Sequence, residues 1–146
     1  MSVQNRTDNQ IPVFELAGDP KRDDSATLAQ DGARSEPLAK NTLLVLDPAT
    51  DKWEPFTDET AVDGTELPRG ILASDDVPAA DLVAGDVENV VVTRADLIFN
   101  ENQLIIENSK TLATVITSAT CSVRSWLIGL GLISESAGYY DRGENS

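Results

Sequence analysis

The chain has no histidine, and its 146 residues include one cysteine and 5% aromatic side chains. Lack of histidine removes both the commonest general base near neutral pH and the commonest metal ligand. A lone thiol, Cys121, cannot close an intrachain disulfide. As a nucleophile it would have to take its base from Asp, Glu or Lys. Its neighbours are small (Ser118, Ala119, Thr120, Ser122), and Arg124 is the nearest cation in sequence. A buried, structural thiol is therefore expected. Basic residues are also scarce: 11 Lys and Arg face 25 Asp and Glu, for a net charge of −14. Such a field repels phosphate backbones and anionic lipid, so neither nucleic acid nor a membrane is an expected partner. The longest apolar run, Trp126 to Ile133, falls far short of the roughly 20 residues that cross a bilayer. Met1 to Arg6 lacks the apolar segment of a signal peptide, so synthesis as a soluble cytoplasmic protein is expected. The Asn5-Arg6-Thr7 sequon then has no use.

What remains, with 40% hydrophobic residues, suffices for one modest domain. Composition changes near Lys40. Residues 1–40 are polar, rich in Asp, Gln, Arg, Ser and Ala, and sustain no apolar period, so they read as a mobile arm. One apolar island interrupts it, carried by Ile11, Val13, Phe14 and Leu16 ahead of the turn residues Gly18-Asp19-Pro20. An apolar island in a solvated tail implies docking. An extended segment docks by adding a strand to a sheet edge, either on a partner or back on its own domain.

From Asn41 the pattern turns to β. Thr42 to Leu46 form an apolar or β-branched strand, and Asp47-Pro48-Ala49-Thr50-Asp51 supply turn chemistry before Trp53 returns the chain to the core. The acidic stretch Thr57 to Glu66 resembles a calcium loop only in charge. Counted from Asp58, the turn-glycine place holds Asp63 and the closing-glutamate place holds Arg69, so a solvated loop is expected. Gly70 to Ala73 make another strand, followed by a segment, Ser74 to Asp81, too polar for the core. Val87 to Ala95 is the strongest strand, and its unbroken Val90-Val91-Val92 predicts cover on both faces.

Further on, Asn100 and Gln103 form a capping pair ahead of Leu104, Ile105 and Ile106. From Ser109, Leu112, Val115, Ile116 and Ala119 share one helical face, and Val123, Trp126, Leu127 and Leu130 continue it. Gly131 is placed to end that helix in a left-handed conformation. Leu132 to Ser136 then read as a final short strand, with Trp126 in the core. The expected fold class is thus α+β: a small β-rich domain over 41–137 with a C-terminal helix, a mobile N-terminal arm over 1–40, and a tail over 138–146.

The order of these landmarks (Leu43-Leu44-Val45-Leu46-Asp47, Gly70-Ile71-Leu72-Ala73, Val90-Val91-Val92-Thr93-Arg94 and Leu130-Gly131-Leu132-Ile133) resembles the lambda-type bacteriophage head decoration proteins. The resemblance covers about Thr42 to Ser136, and none of its motifs is catalytic. It implies a non-enzymatic structural protein that binds the major capsid protein on the outer surface of an expanded capsid, as homotrimers, and cements the shell. It also implies a virion location, no cofactor and no metal, and a capsid-binding arm containing Ile11, Val13, Phe14 and Leu16. Against that resemblance the chain is longer than the lambda-type prototype, with the added length falling over 107–120. Two other classes compete with this reading. A hydrolase using Asp75 with Asp76, or Asp58 with Asp63, would need one acid desolvated with its pKa raised, whereas both pairs fall in polar loops. A β-rich adhesion module for a glycan or protein would be expected to expose aromatics.

Overall fold

The computed structural model describes residues 13–14, 21–95 and 98–133. Among these, nine strands and two short α-helices occur: β1 (Val13–Phe14), β2 (Lys21–Leu28), β3 (Leu43–Asp47), β4 (Lys52–Pro55), β5 (Pro68–Leu72), α1 (Ala79–Ala84), β6 (Val87–Ala95), β7 (Ile98–Phe99), β8 (Val115–Ile116), β9 (Cys121–Ser122) and α2 (Val123–Gly129). Five strands close into a barrel in the order β2-β4-β3-β5-β6. Antiparallel β2 and β6 shut it along a ladder from Lys21↔Ala95 to Leu28↔Val87, and one parallel pair, Leu28↔Trp53, joins β2 to β4.

Alternation along β3 explains why the barrel has cores on both sides of its wall. Leu44 belongs to the interior cluster with Trp53, Leu72, Leu28, Val90 and Val92, while Leu43 and Val45 belong to an outer cluster with Phe56, Ile71, Phe99, Ile116, Val123, Leu127 and Leu132. A strand buried on both faces must be apolar throughout, and the Leu-Leu-Val-Leu run meets that requirement. The turn after it forms as its residues predict: Asp51 N–H donates to the Asp47 carbonyl at 2.7 Å, Ala49 N–H donates to Asp47 Oδ1 at 2.9 Å, and Asp51 takes φ 60°. Trp53 then returns to the interior at 1% exposure. β6 has the expected bounds; Val90 and Val92 are buried on one face, and on the other Val91 is half-buried while Thr93 is buried.

Several expectations need correction. Residues 1–40 are not one polar arm, because Lys21–Leu28 is a barrel strand that buries Ala26 and Leu28, and Leu38 is also core. Its apolar residues sit on one face of a mostly exposed strand, too few to register as a period. The segment after β5 is not all solvent-facing either: Val77 exchanges backbone hydrogen bonds with Leu38, both at 2.8 Å, and Val77 and Leu82 are buried.

The largest departure lies between Ser109 and Ser122. In place of one long helix there are turns, the β8–β9 hairpin (Val115↔Ser122, Ile116↔Cys121) and a helix confined to Val123–Gly129. Asn108, Ser109 and Thr120 take φ of 58°, 60° and 53°, which no α-helix accommodates. Hydroxyls compete for the backbone: Thr114 Oγ accepts from Thr111 N–H and Thr111 Oγ accepts from Ala113 N–H. The Asn100 cap does form, accepting from Asn102 N–H at 3.0 Å, but it opens a single 3-10 turn, Glu101–Gln103. Beyond it the chain is extended, with Ile105 bridged in parallel to Thr42. Leu132 and Ile133 are buried and not in a strand; the remainder of the expected final strand, Ser134 to Ser136, and the tail over 138–146 lie outside the described residues.

Candidate interaction site

The arm island is the site the sequence nominates, and two of its members are placed. Val13 and Phe14 form β1, which pairs antiparallel with β7 in the register Val13↔Phe99 and Phe14↔Ile98. Ile11 and Leu16 lie outside the described residues. The receiving strand is firmly held: Phe99 N–H donates to the Leu132 carbonyl at 2.9 Å, and Phe99 itself is 3% exposed within the outer core. Leu132 in turn is fixed by the end of α2. Its N–H donates to the Leu127 carbonyl at 3.0 Å while Gly131 N–H donates to Ile128 at 3.0 Å, a Schellman cap made possible by Gly131 at φ 77°. Thus α2 sets Leu132, Leu132 sets β7, and β7 offers its free edge to β1. β1 is legible in the sequence as an apolar island and its receptor is not, although Ile98-Phe99 is a β-prone pair shortly after the strongest strand.

Trp126 packs against this outer core half-buried, with its indole Nε1 donating to the Pro68 carbonyl at 2.6 Å. It is thus less enclosed than expected, and the polar edge has a partner. Cys121 is likewise half-buried in β9, paired with Ile116, and not the fully buried thiol expected.

The acidic loop over 57–66 is braced. Asp58 accepts from both the N–H and the hydroxyl of Thr60, and Asp63 does the same for Thr65. Those hydroxyls hold both carboxyls below the ordinary range. Glu66, 4% exposed, accepts from Ser118 Oγ at 2.7 Å and from Gly64 N–H at 2.8 Å, and the Ser118 bond lowers its pKa as well. Gly64 sits at φ 100° with Pro48 so close that a Cβ would lie 2.9 Å from its ring. At the tip Val62 is 90% exposed. Of the other acid pair, Asp76 accepts from Lys40 N–H at 2.8 Å.

A groove of about 660 Å³ lies on another face, lined in part by Gln30, Asp31, Arg34, Glu54, Pro55 and Glu107. Its guanidinium is committed: Arg34 pairs with both oxygens of Glu107 at 2.8 and 2.5 Å, and donates to the Glu36 and Pro37 carbonyls. Desolvation, with help from the charges of Asp47, Asp63 and Asp31, raises the Glu54 pKa. Among the described residues no cluster of three or more Cys, Asp or Glu is arranged to hold a metal ion, and no helix is long and apolar enough to cross a membrane.

Comparison of the chain with protein-family models, curated proteins and solved structures finds no match.

Proposed function

We propose that this chain is a head decoration protein that binds the outer surface of an expanded bacteriophage capsid as homotrimers and stabilises the shell without catalysis. The observation that carries this reading is β1: an apolar pair within a polar N-terminal segment, engaging a strand edge through backbone pairing. A segment able to do this on β7 has the composition and conformation to do the same on a sheet edge of the major capsid protein. The order of sequence landmarks supports the same reading. So does the architecture, a small barrel with cores on both sides of its wall, whose rigidity suits a mechanical cement.

A cement acts by mass action. Bound to the assembled shell and not to its dissociated subunits, it stabilises the shell by its binding free energy at every occupied site. Bare capsids should therefore release DNA at a lower temperature than capsids re-decorated with purified protein, with no turnover. Equal melting at saturating, verified occupancy would reject the cement role and favour the adhesion module. Regular protrusions across the whole shell in electron micrographs, and a trimeric mass by sedimentation, are the accompanying expectations.

A further inference from the structure

We infer that the acidic loop over 57–66 is a clasp that holds the β8–β9 hairpin on the outer core at neutral pH and lets go of it in acid, before the barrel opens. Three polar links join the loop to the hairpin segment. Lys110 Nζ pairs with Glu59 Oε1 at 2.7 Å, Thr117 N–H donates to the Glu59 carbonyl at 3.0 Å, and Ser118 Oγ donates to Glu66 Oε2 at 2.7 Å. Two glutamates therefore anchor all three. Glu66 is used at both oxygens, since its Oε1 accepts from Gly64 N–H, so one carboxylate fixes the loop's own turn and the hairpin together. By itself the hairpin is weakly built. Its ladder has two residue pairs with turns on either side, and Thr120 takes φ 53°. A hairpin of that length needs support from outside, which the clasp and the burial of Ile116 supply.

Release of the hairpin leaves the barrel whole. Among the described residues the interior cluster takes none from 107–122, and the β2–β6 ladder closes the wall without them. Arg34 on Glu107 and Arg124 on Glu101 hold the chain on either side, so the stretch between them is the part that opens. Acid acts on the clasp through its charges. Glu59 faces Lys110, whose hydrogen bond holds its carboxyl below the ordinary range against the opposing charge of Asp58. Glu66 faces Ser118, whose hydroxyl does the same against the opposing charge of Asp63. Both carboxyls thus hold protons less tightly with the clasp closed than with it open. The closed form has its full advantage above the ordinary carboxylate range, near about pH 4.3, and loses it as pH falls through the two folded values. Protonation cancels the Glu59–Lys110 pair and turns the charge-assisted bond from Ser118 into a weaker neutral one.

Hydrogen exchange on the full chain, corrected for the intrinsic rate at each pH, tests this. Thr117 N–H reports the clasp, and Ala29 N–H, which donates to the Trp53 carbonyl at 2.9 Å, reports the barrel. Between about pH 6 and about pH 3, protection at Thr117 should fall at least about tenfold while that at Ala29 changes by less than about threefold. Glu59→Gln with Glu66→Gln should lower Thr117 protection already at neutral pH and leave it changing by less than about threefold over the same range, with Ala29 protected as in wild type. If the double variant does not fold, Ser118→Ala, at an exposed position, supplies the decision: its Thr117 fall should be smaller than that of wild type by about threefold or more. The clasp is overturned if Thr117 and Ala29 lose protection together, if Thr117 keeps its protection in acid, or if the folded variants keep the wild-type pH response.

Discussion

Trp53 and Gly70 fit each other across the barrel interior. A Cβ built on Gly70 would lie 2.4 Å from Val92 Cγ1, 3.0 Å from Trp53 Cζ3 and 3.1 Å from the Thr93 carbonyl, so glycine is required there by space. Gly70→Ala should destabilise the domain by about 1–3 kcal/mol through overpacking. Trp53→Ala, which empties the same region from the other side, should cost about 3–5 kcal/mol. Denaturant unfolding measures both, and a Trp53→Ala loss below about 1 kcal/mol would show that the indole is not core. Glu66 gives a pH prediction. Its folded pKa is depressed, first by the Ser118 hydroxyl, so the folded state holds this proton less tightly than the unfolded chain does. Its stabilisation is therefore complete above the unfolded carboxylate range, near about pH 4.3, and disappears as pH falls through the folded value. Glu66→Gln should lower the urea midpoint at neutral pH and leave a shallower loss of stability on acidification than in wild type.

At the level of elements, α2 is short and depends on its ends. Ser122 Oγ accepts from Ser125 N–H at 3.1 Å at the start, and Gly131 completes the Schellman cap at the finish. Ser122→Ala should cost about 0.5–2 kcal/mol. Gly131→Ala, which forces a side chain into the left-handed region, should cost about 1–2 kcal/mol. Because Leu132 passes from this cap to β7, Gly131→Ala should also loosen the arm receptor. Hydrogen exchange at Phe99 should accelerate in Gly131→Ala more than in Ser122→Ala if the two caps have matched global stability losses; equal acceleration would uncouple the cap from the arm edge.

For the whole molecule, the charge of −14 separates two kinds of contact that the proposed shell binding would use. Contacts between the acidic surface and basic shell patches weaken with salt, whereas an apolar arm added as a strand is much less sensitive. Removing residues 1–16 ends before β2 begins at Lys21, so the truncated chain should still fold into the barrel. It should bind bare capsids poorly, and its remaining binding should be steeply salt-dependent, while the full chain's should not. Unchanged shell affinity on truncation would rule out the arm as the principal contact.

The sequence alone determined what local chemistry dictates: the strand expected over Thr42 to Leu46 and observed one residue on at Leu43–Asp47, the Asp47–Asp51 turn, the return of Trp53 to the core, the Val87–Ala95 strand and the glycine stop at Gly131. Each depends on neighbours a few residues away, and each appears where the residues place it. The apolar island at Val13–Phe14 was legible as something that docks, but not where, because strand addition is specified by backbone groups that every residue carries. Tertiary structure decided the rest. It recruited Lys21–Leu28 into the barrel, since closing β6 against β4 requires a strand whatever its polarity. It also broke the apparent helix over 109–122, because burial of Ile116 beside an exposed Val115 and left-handed backbone at Ser109 and Thr120 outweighed a face that matched helical spacing by coincidence. Which edge receives the arm was decided the same way, since Ile98 and Phe99 are fixed through Leu132 by a helix cap far along the chain, a relation that no local pattern encodes.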